Sequence, residues 1–269
     1  MTMIDSQLIA HNRFGLGARA DQIVWSGSAI QKQRQQQLQQ QLKSSIQQQP
    51  AVSFPAWLPS SNKVGKSFAE FSKKKNDLKK EAKKVSKNKA LTNKQIAEQE
   101  KKLKQVRMSY KGKQTYFQQT AYVLKQSIQS EHSLNWRLLD FFSNHFSVSA
   151  EGGVMKTLAV TLEMEAIAPH LYGSFEDMLI AVSQHPAMLM YLNNENSFGP
   201  NSKMVQNRKK KNKKRKQLGL NENLAREILE LHTLGVNGGY NQSDVTELAK
   251  AITGWSLTNP RKVSELTYL

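Results

Sequence analysis

The sequence predicts an all-α protein, a multi-helical globular domain carrying an inserted basic helical hairpin. Apolar residues recur at spacings of three and four along most of the 269 residues, no run alternates as a half-buried strand does, and capping residues stand at several expected helix starts. The chain is long enough to bury a core without staples, and having no cysteine it excludes disulfides, thiolate metal sites and a cysteine nucleophile.

Taken in order, a first short helix is expected over about 4–13, ending at Gly15 and Gly17, because glycine follows helix ends. A Gln-rich segment, about 29–48, favours helix but offers only Ile30, Leu38, Leu42 and Ile46 as anchors, which places it at the surface. Pro50, Pro55 and Pro59 then interrupt the chain around Phe54 and Trp57. Residues 65–110 read as a hairpin. Phe71, Leu78 and Val85 lie seven apart, as do Ile96, Leu103 and Tyr110, so each arm has a thin seam in a lysine-rich background, and Thr92 with Gln95 forms a capping box for the second arm.

Further helices are expected over about 114–129, 133–146, 153–168, 174–184, 186–192, 221–234 and 242–253. Ser133, Ser174 and Asn241 suit N-caps, with Asp177 and Asp244 at the third helical position after the last two. The loop 193–220 contains RKKKNKKRK, which cannot pack and is expected to be disordered. The organisation is therefore N-terminal helices and a Pro-rich linker (1–62), a basic hairpin (63–113) and a helical core (114–269).

Lys and Arg number 39 against 21 Asp and Glu, a net charge of +18, but the excess is local. Residues 63–113 hold 18 basic and 5 acidic residues, and 203–216 hold 9 basic and none acidic, leaving the remainder mildly acidic. These segments suit nucleic acid or an anionic surface through charge alone, although interleaved aromatics are sparse. No apolar run approaches the ~18 residues of a membrane-spanning helix, and the first fifteen residues lack an export pattern, which reads as cytoplasmic.

The chain has no H-E-x-x-H, G-x-S-x-G, P-loop, EF-hand loop or complete G-x-G-x-x-G motif. What remains is polar residues in apolar places. At 100° per residue His145 falls between Leu134 and Leu138, and Glu165 between Val154 and Leu158, whereas Glu163 points the other way, near Lys156, and reads as surface. On the helix from Asn221, Leu224, Ile228 and Leu231 form the core stripe, and Glu222, Arg226 and Glu230 make an ion-pair ladder opposite. Asn223 and Glu227 stand between the two and face a cleft, while His232 lies on the apolar side. A buried carboxylate requires a partner, and His145, Arg13 and Arg226 are candidates for Glu165. His170, after Pro169 at a helix end, reads as a cap.

The stretch GLNENLAREILELHTLGVNGGYNQSDVTELAKAITGW (219–255) resembles the bacterial domain-of-unknown-function family 1800. Further matches are HNRFGLG near the start, LLDFFSNHFSVS (138–149), the Glu-x-Glu-x-x-x-Pro-His run at 163–170, and HPAMLMYLNNENSFGPNS (185–202). The resemblance implies a mainly helical fold, and export or envelope association for many relatives, but no established reaction. Its motif residues correspond to Arg13, His145, Glu163, Glu165, His170, Asn221, Glu222, Asn223, Arg226, Glu227, Glu230 and His232. Where relatives usually carry arginine before the Pro-His pair this chain has Ala168, which removes an anion partner. Relatives also continue well past the Gly-Trp pair, so a C-terminally incomplete chain is expected.

Three functions compete. An interaction or assembly module, in which the polar groups only hold the core together, ranks first. An envelope-associated enzyme or metal-binding protein using His145, Glu165, Asn223 and Glu227 ranks second, and nucleic-acid binding through the lysines third. No cofactor, metal or reaction is named by the residues.

Overall fold

A computed structural model describes residues 28–47, 50–88, 93–109, 112–203, 205–207 and 218–257. Among them there is no strand, and the fold is all-α. The expected helix at 4–13, its glycine stop, Arg13, Thr92 of the capping box, the run 208–216 and everything after Leu257 lie outside the described residues.

Helix α1 (Ser28–Gln47) carries the glutamines and packs against α5 (Ser133–His145). The Pro-rich segment that follows is tied to the core rather than loose. Ala51, Val52 and Leu58 are buried, Asn135 donates to the Ala51 carbonyl at 2.6 Å, and Tyr172 donates to the Asn135 side chain at 2.6 Å. Helices α2 (Ser61–Asn88) and α3 (Asn93–Ser109) pack together as the two lysine-rich arms. Only the root of α2 reaches the core: Val64 is buried, and Phe68 lies against Gly153, whose positive φ turns the chain into the helix that follows it.

Helix α4 (Gly112–Gln129) and α5 lead to α6 (Met155–Leu162), which packs against α2, α4 and the short helix α8 (Pro186–Tyr191) and is the centre of the fold. Buried Leu158 and Leu162 meet Leu139, Ile167, Val182, Met188 and Leu189 there. Ser133 does not cap α5: His132 holds the cap position without a side-chain bond, and Ser133 is the first helical residue. Ser174 caps α7 (Phe175–Gln184) through the Glu176 amide, and Asn241 with Asp244 forms a complete capping box on α10 (Gln242–Ile252).

Two helices widen before they end. After α6 the chain winds as a π-helix over Glu163–Ile167 and then as a tight turn over Ala168–His170. Pro169 supplies the cause: it cannot donate an amide to the turn below, and its ring crowds the carbonyl four residues earlier, so the preceding turn opens. Likewise α9 (Asn223–Glu227) continues as a π-helix over Ile228–Thr233, where the Thr233 hydroxyl donates to the Ile228 carbonyl at 2.6 Å and Gly235 follows with φ +86°. Between α7 and α9 runs α8 (Pro186–Tyr191).

Candidate functional site

Pro186 begins α8 and forces His185 before it into an extended conformation, φ −68° and ψ 139°. That geometry makes His185 the N-cap: its Nδ1 accepts the Ala187 amide at 3.1 Å. An accepting Nδ1 carries no proton, so the proton sits on Nε2, which donates to Glu165 Oε2 at 3.1 Å. The other oxygen, Oε1, accepts the Ser61 amide, the first of α2, at 2.7 Å. One neutral imidazole and one carboxylate thus join the starts of α8 and α2 to the widened end of α6. Burial by itself raises the Glu165 pKa, but the hydrogen bonds from His185 and Ser61 outweigh it and bring it below the ordinary carboxylate value.

Glu165 and His185 also line a cavity of about 320 Å³ between α2, the π-turn, α7, α8 and the segment at Ser256–Leu257. Every other position named for a site by periodicity lies elsewhere. His145 does not partner Glu165: its Nε2 donates to the His232 carbonyl at 3.1 Å, and its ring stands 4.6 Å from Phe146, 6.1 Å from Phe175 and 6.1 Å from His232. His232 is buried, as its apolar position required, and its Nδ1 has no partner. Burial, with the nearby His145 adding to it, pushes the His232 pKa down to about 4.

Glu163, expected at the surface, turns inward toward α5 instead. The widened turn rotates it off the face that a regular helix would give it, and it is only partly exposed. Burial, reinforced by Asp140, raises its pKa to about 7, and the nearby Ser143 hydroxyl offsets only part of this. Arg226 bonds Glu230 at 3.0 Å, Glu222 at 3.5 Å and Gln242 at 2.9 Å, so the expected ladder forms and holds α9 to α10. Asn223 is exposed at the start of α9, and its amide is capped by Asn221. Glu227 is half-buried, with its pKa raised by burial and by Glu230. His170 closes the tight turn, where its carbonyl accepts the Gly173 amide at 3.0 Å.

Sequence reasoning missed His185 and Ser61, although a histidine immediately before a helix-starting proline is a legible capping signal. It also missed Glu195, whose buried Oε2 has no partner and whose pKa burial raises to about 7. Among the described residues no group of three or more His, Asp or Glu side chains is placed to hold a metal ion. No helix among them is long and apolar enough to cross a membrane.

A family model described as "Protein of unknown function (DUF1800)" matches residues 9–268. No curated protein and no solved structure matches the chain.

Proposed function

The chain belongs to the DUF1800 family, and since that membership brings no reaction with it, we propose that the protein is an interaction module whose buried polar groups serve the fold. The observation that carries this reading is an exposed aromatic and aliphatic face around His145. Phe141 (60% exposed) and Phe175 (44%) flank its ring, and Leu231, Leu234 and Val236 stand exposed on the chain either side of His232. Two exposed aromatic rings with an imidazole between them, bonded to a segment whose own aliphatic side chains are exposed, suit the centre of a protein interface.

The Glu165–His185 pair supports the same reading from the other side. Both ring nitrogens of His185 are engaged, so neither is available to take a proton from a substrate. The test is a photo-crosslinking residue at position 141 in the full chain. A discrete crosslinked protein partner that disappears when Phe175 and Leu231 become serine, with the melting temperature unchanged, is the expected result. A partner retained in that variant refutes the assignment of the interface to this face.

The enzymatic alternative has one observation in its favour, the Glu163 carboxyl with its pKa near neutrality beside Asp140. Stoichiometric metal in the purified protein, lost on Glu163→Gln or Glu165→Gln, favours it over the interaction reading.

A further inference from the structure

The cavity beside Glu165 is separate from the aromatic face, since no residue belongs to both. Its chemistry is unbalanced. Glu165 brings a carboxylate, His185 beside it is held neutral by its own hydrogen bonds, and no lysine or arginine is among the described residues that line the space. The rest of the wall is aliphatic at Ala166, Ala181, Leu189 and Leu257 and neutral polar at Asn62, Gln184 and Ser256, with the Asn62 amide oxygen buried and without a partner. At about 320 Å³ the cavity matches the small end of the ligand-site range, ~300–1,000 Å³.

A carboxylate has about four acceptor directions, and Glu165 uses two, one on each oxygen. One direction remains on each oxygen, enough for the compact, rotatable donors of an ammonium group, which also suits a small space better than a planar guanidinium. A hard divalent ion is also a poor match, because it favours several anionic oxygens and this space offers one carboxylate, with only neutral amide and hydroxyl oxygens from Asn62, Gln184 and Ser256 beside it.

We infer that the cavity binds a primary ammonium group on a short aliphatic stem, with the charge at Glu165 and the stem along Ala181, Leu189 and Leu257. A lysine side chain and a free alkylamine present that same group, and the test separates them.

The experiment is calorimetric titration of the full chain at low salt with 1-aminobutane, with 1-butanol as the neutral isostere and with N-acetyl-lysine methylamide. Saturable binding of 1-aminobutane and none of 1-butanol is expected. Glu165→Gln should weaken it about tenfold or more, since a charge-assisted bond is lost. Because Glu165 also holds three elements together, Ala181→Phe is the second variant: it fills the cavity, touches no polar bond, and should abolish binding with the near-ultraviolet circular dichroism unchanged. Tighter binding of the lysine derivative assigns the group to a polypeptide, and tighter binding of the free amine to a small molecule. Equal binding of 1-butanol, or binding unchanged in Ala181→Phe, overturns the inference. Either failure leaves the crosslinking test of the aromatic face untouched.

Discussion

Glu163 and Glu165 stand two residues apart on the same widened turn, and their pKa values move in opposite directions. Both are partly buried, so burial pushes both upward; the difference lies in what each oxygen meets. Glu165 receives the His185 Nε2–H and the Ser61 amide, whereas Glu163 meets the like charge of Asp140 and only the nearby Ser143 hydroxyl to set against it. Donors decide whether a buried carboxylate stabilises the ionised form or resists it, and the turn that separates the two positions by a rotation decides which donors each one finds. The Glu165 side joins elements of the fold, and the Glu163 side carries an unrelieved cost.

The largest expected effect follows from that contrast. Glu165→Leu leaves the His185 Nε2–H and the Ser61 amide without acceptors, and should cost about 3 kcal/mol of stability at pH 7, measured by urea unfolding. Paired with His185→Leu in a double-mutant cycle, the coupling should exceed roughly 1 kcal/mol, while the cycle of Glu165→Leu with His145→Leu should add within about 0.5 kcal/mol because their hydrogen bonds share no residue. Strong coupling to His145 and none to His185 would reverse the assignment. The pH sign is also fixed: a depressed carboxylate contributes stability above its unfolded pKa, and that contribution is lost as the pH falls through the folded value.

Glu163 should behave inversely. With its folded pKa raised to about 7 from 4.5, the native state holds the proton more tightly. Its favourable contribution is complete below about pH 4.5 and is lost as the pH rises through about 7, so above neutrality the ionised group destabilises the fold. Glu163→Gln should therefore stabilise by about 2 kcal/mol at pH 8 and by little at pH 4. A loss of stability at pH 8 would show that the carboxylate has a partner the contrast leaves out.

A smaller effect is expected at His232, on the aromatic side of the molecule. Its folded pKa of about 4 lies below the ordinary 6.5, so the unfolded chain takes up the proton first and stability falls as the pH drops from about 6.5 to 4. His232→Phe removes that slope and the unpartnered Nδ1, and should stabilise by about 1 kcal/mol at pH 5. An unchanged acid slope in thermal melts would place its origin elsewhere.

These contrasts mark where the residues speak for themselves. Helix positions were legible because apolar spacing and caps such as Ser174 and Asn241 are local properties, and His145, Glu165 and His232 could be read as polar exceptions on apolar arcs. The partnership of Glu165 could not, since Ser61 and His185 are 104 and 20 residues away and arrive through packing. Glu163 was misread for a different reason. A wheel drawn at 100° per residue assumes a regular helix, and the turn opened by Pro169 breaks that assumption over the five residues Glu163–Ile167. Ser133 fell one position short because His132 occupies the cap without bonding.

The smallest effect tests the edge of the comparison. Its position between the ladder and the core stripe places Asn223 beside a cleft, but it stands exposed at the first turn of α9, with only its backbone amide held, by Asn221. Its side chain is therefore on neither side of the contrast between satisfied and unsatisfied groups. Asn223→Ala should change stability by less than about 0.5 kcal/mol, as surface substitutions do, whereas Asn221→Ala next to it should cost more, because the Asn221 side chain also donates to the Leu192 and Asn193 carbonyls at 3.1 and 3.0 Å. Asn221 lies before the Glu222 N-cap and Asn223 is the first helical residue, so the pair separates a side chain that bonds three backbone groups from one that caps none. If Asn223→Ala instead costs more than Asn221→Ala, or abolishes crosslinking at position 141 without altering the melt, then Asn223 belongs to the interaction face and the boundary drawn around His145 is too narrow.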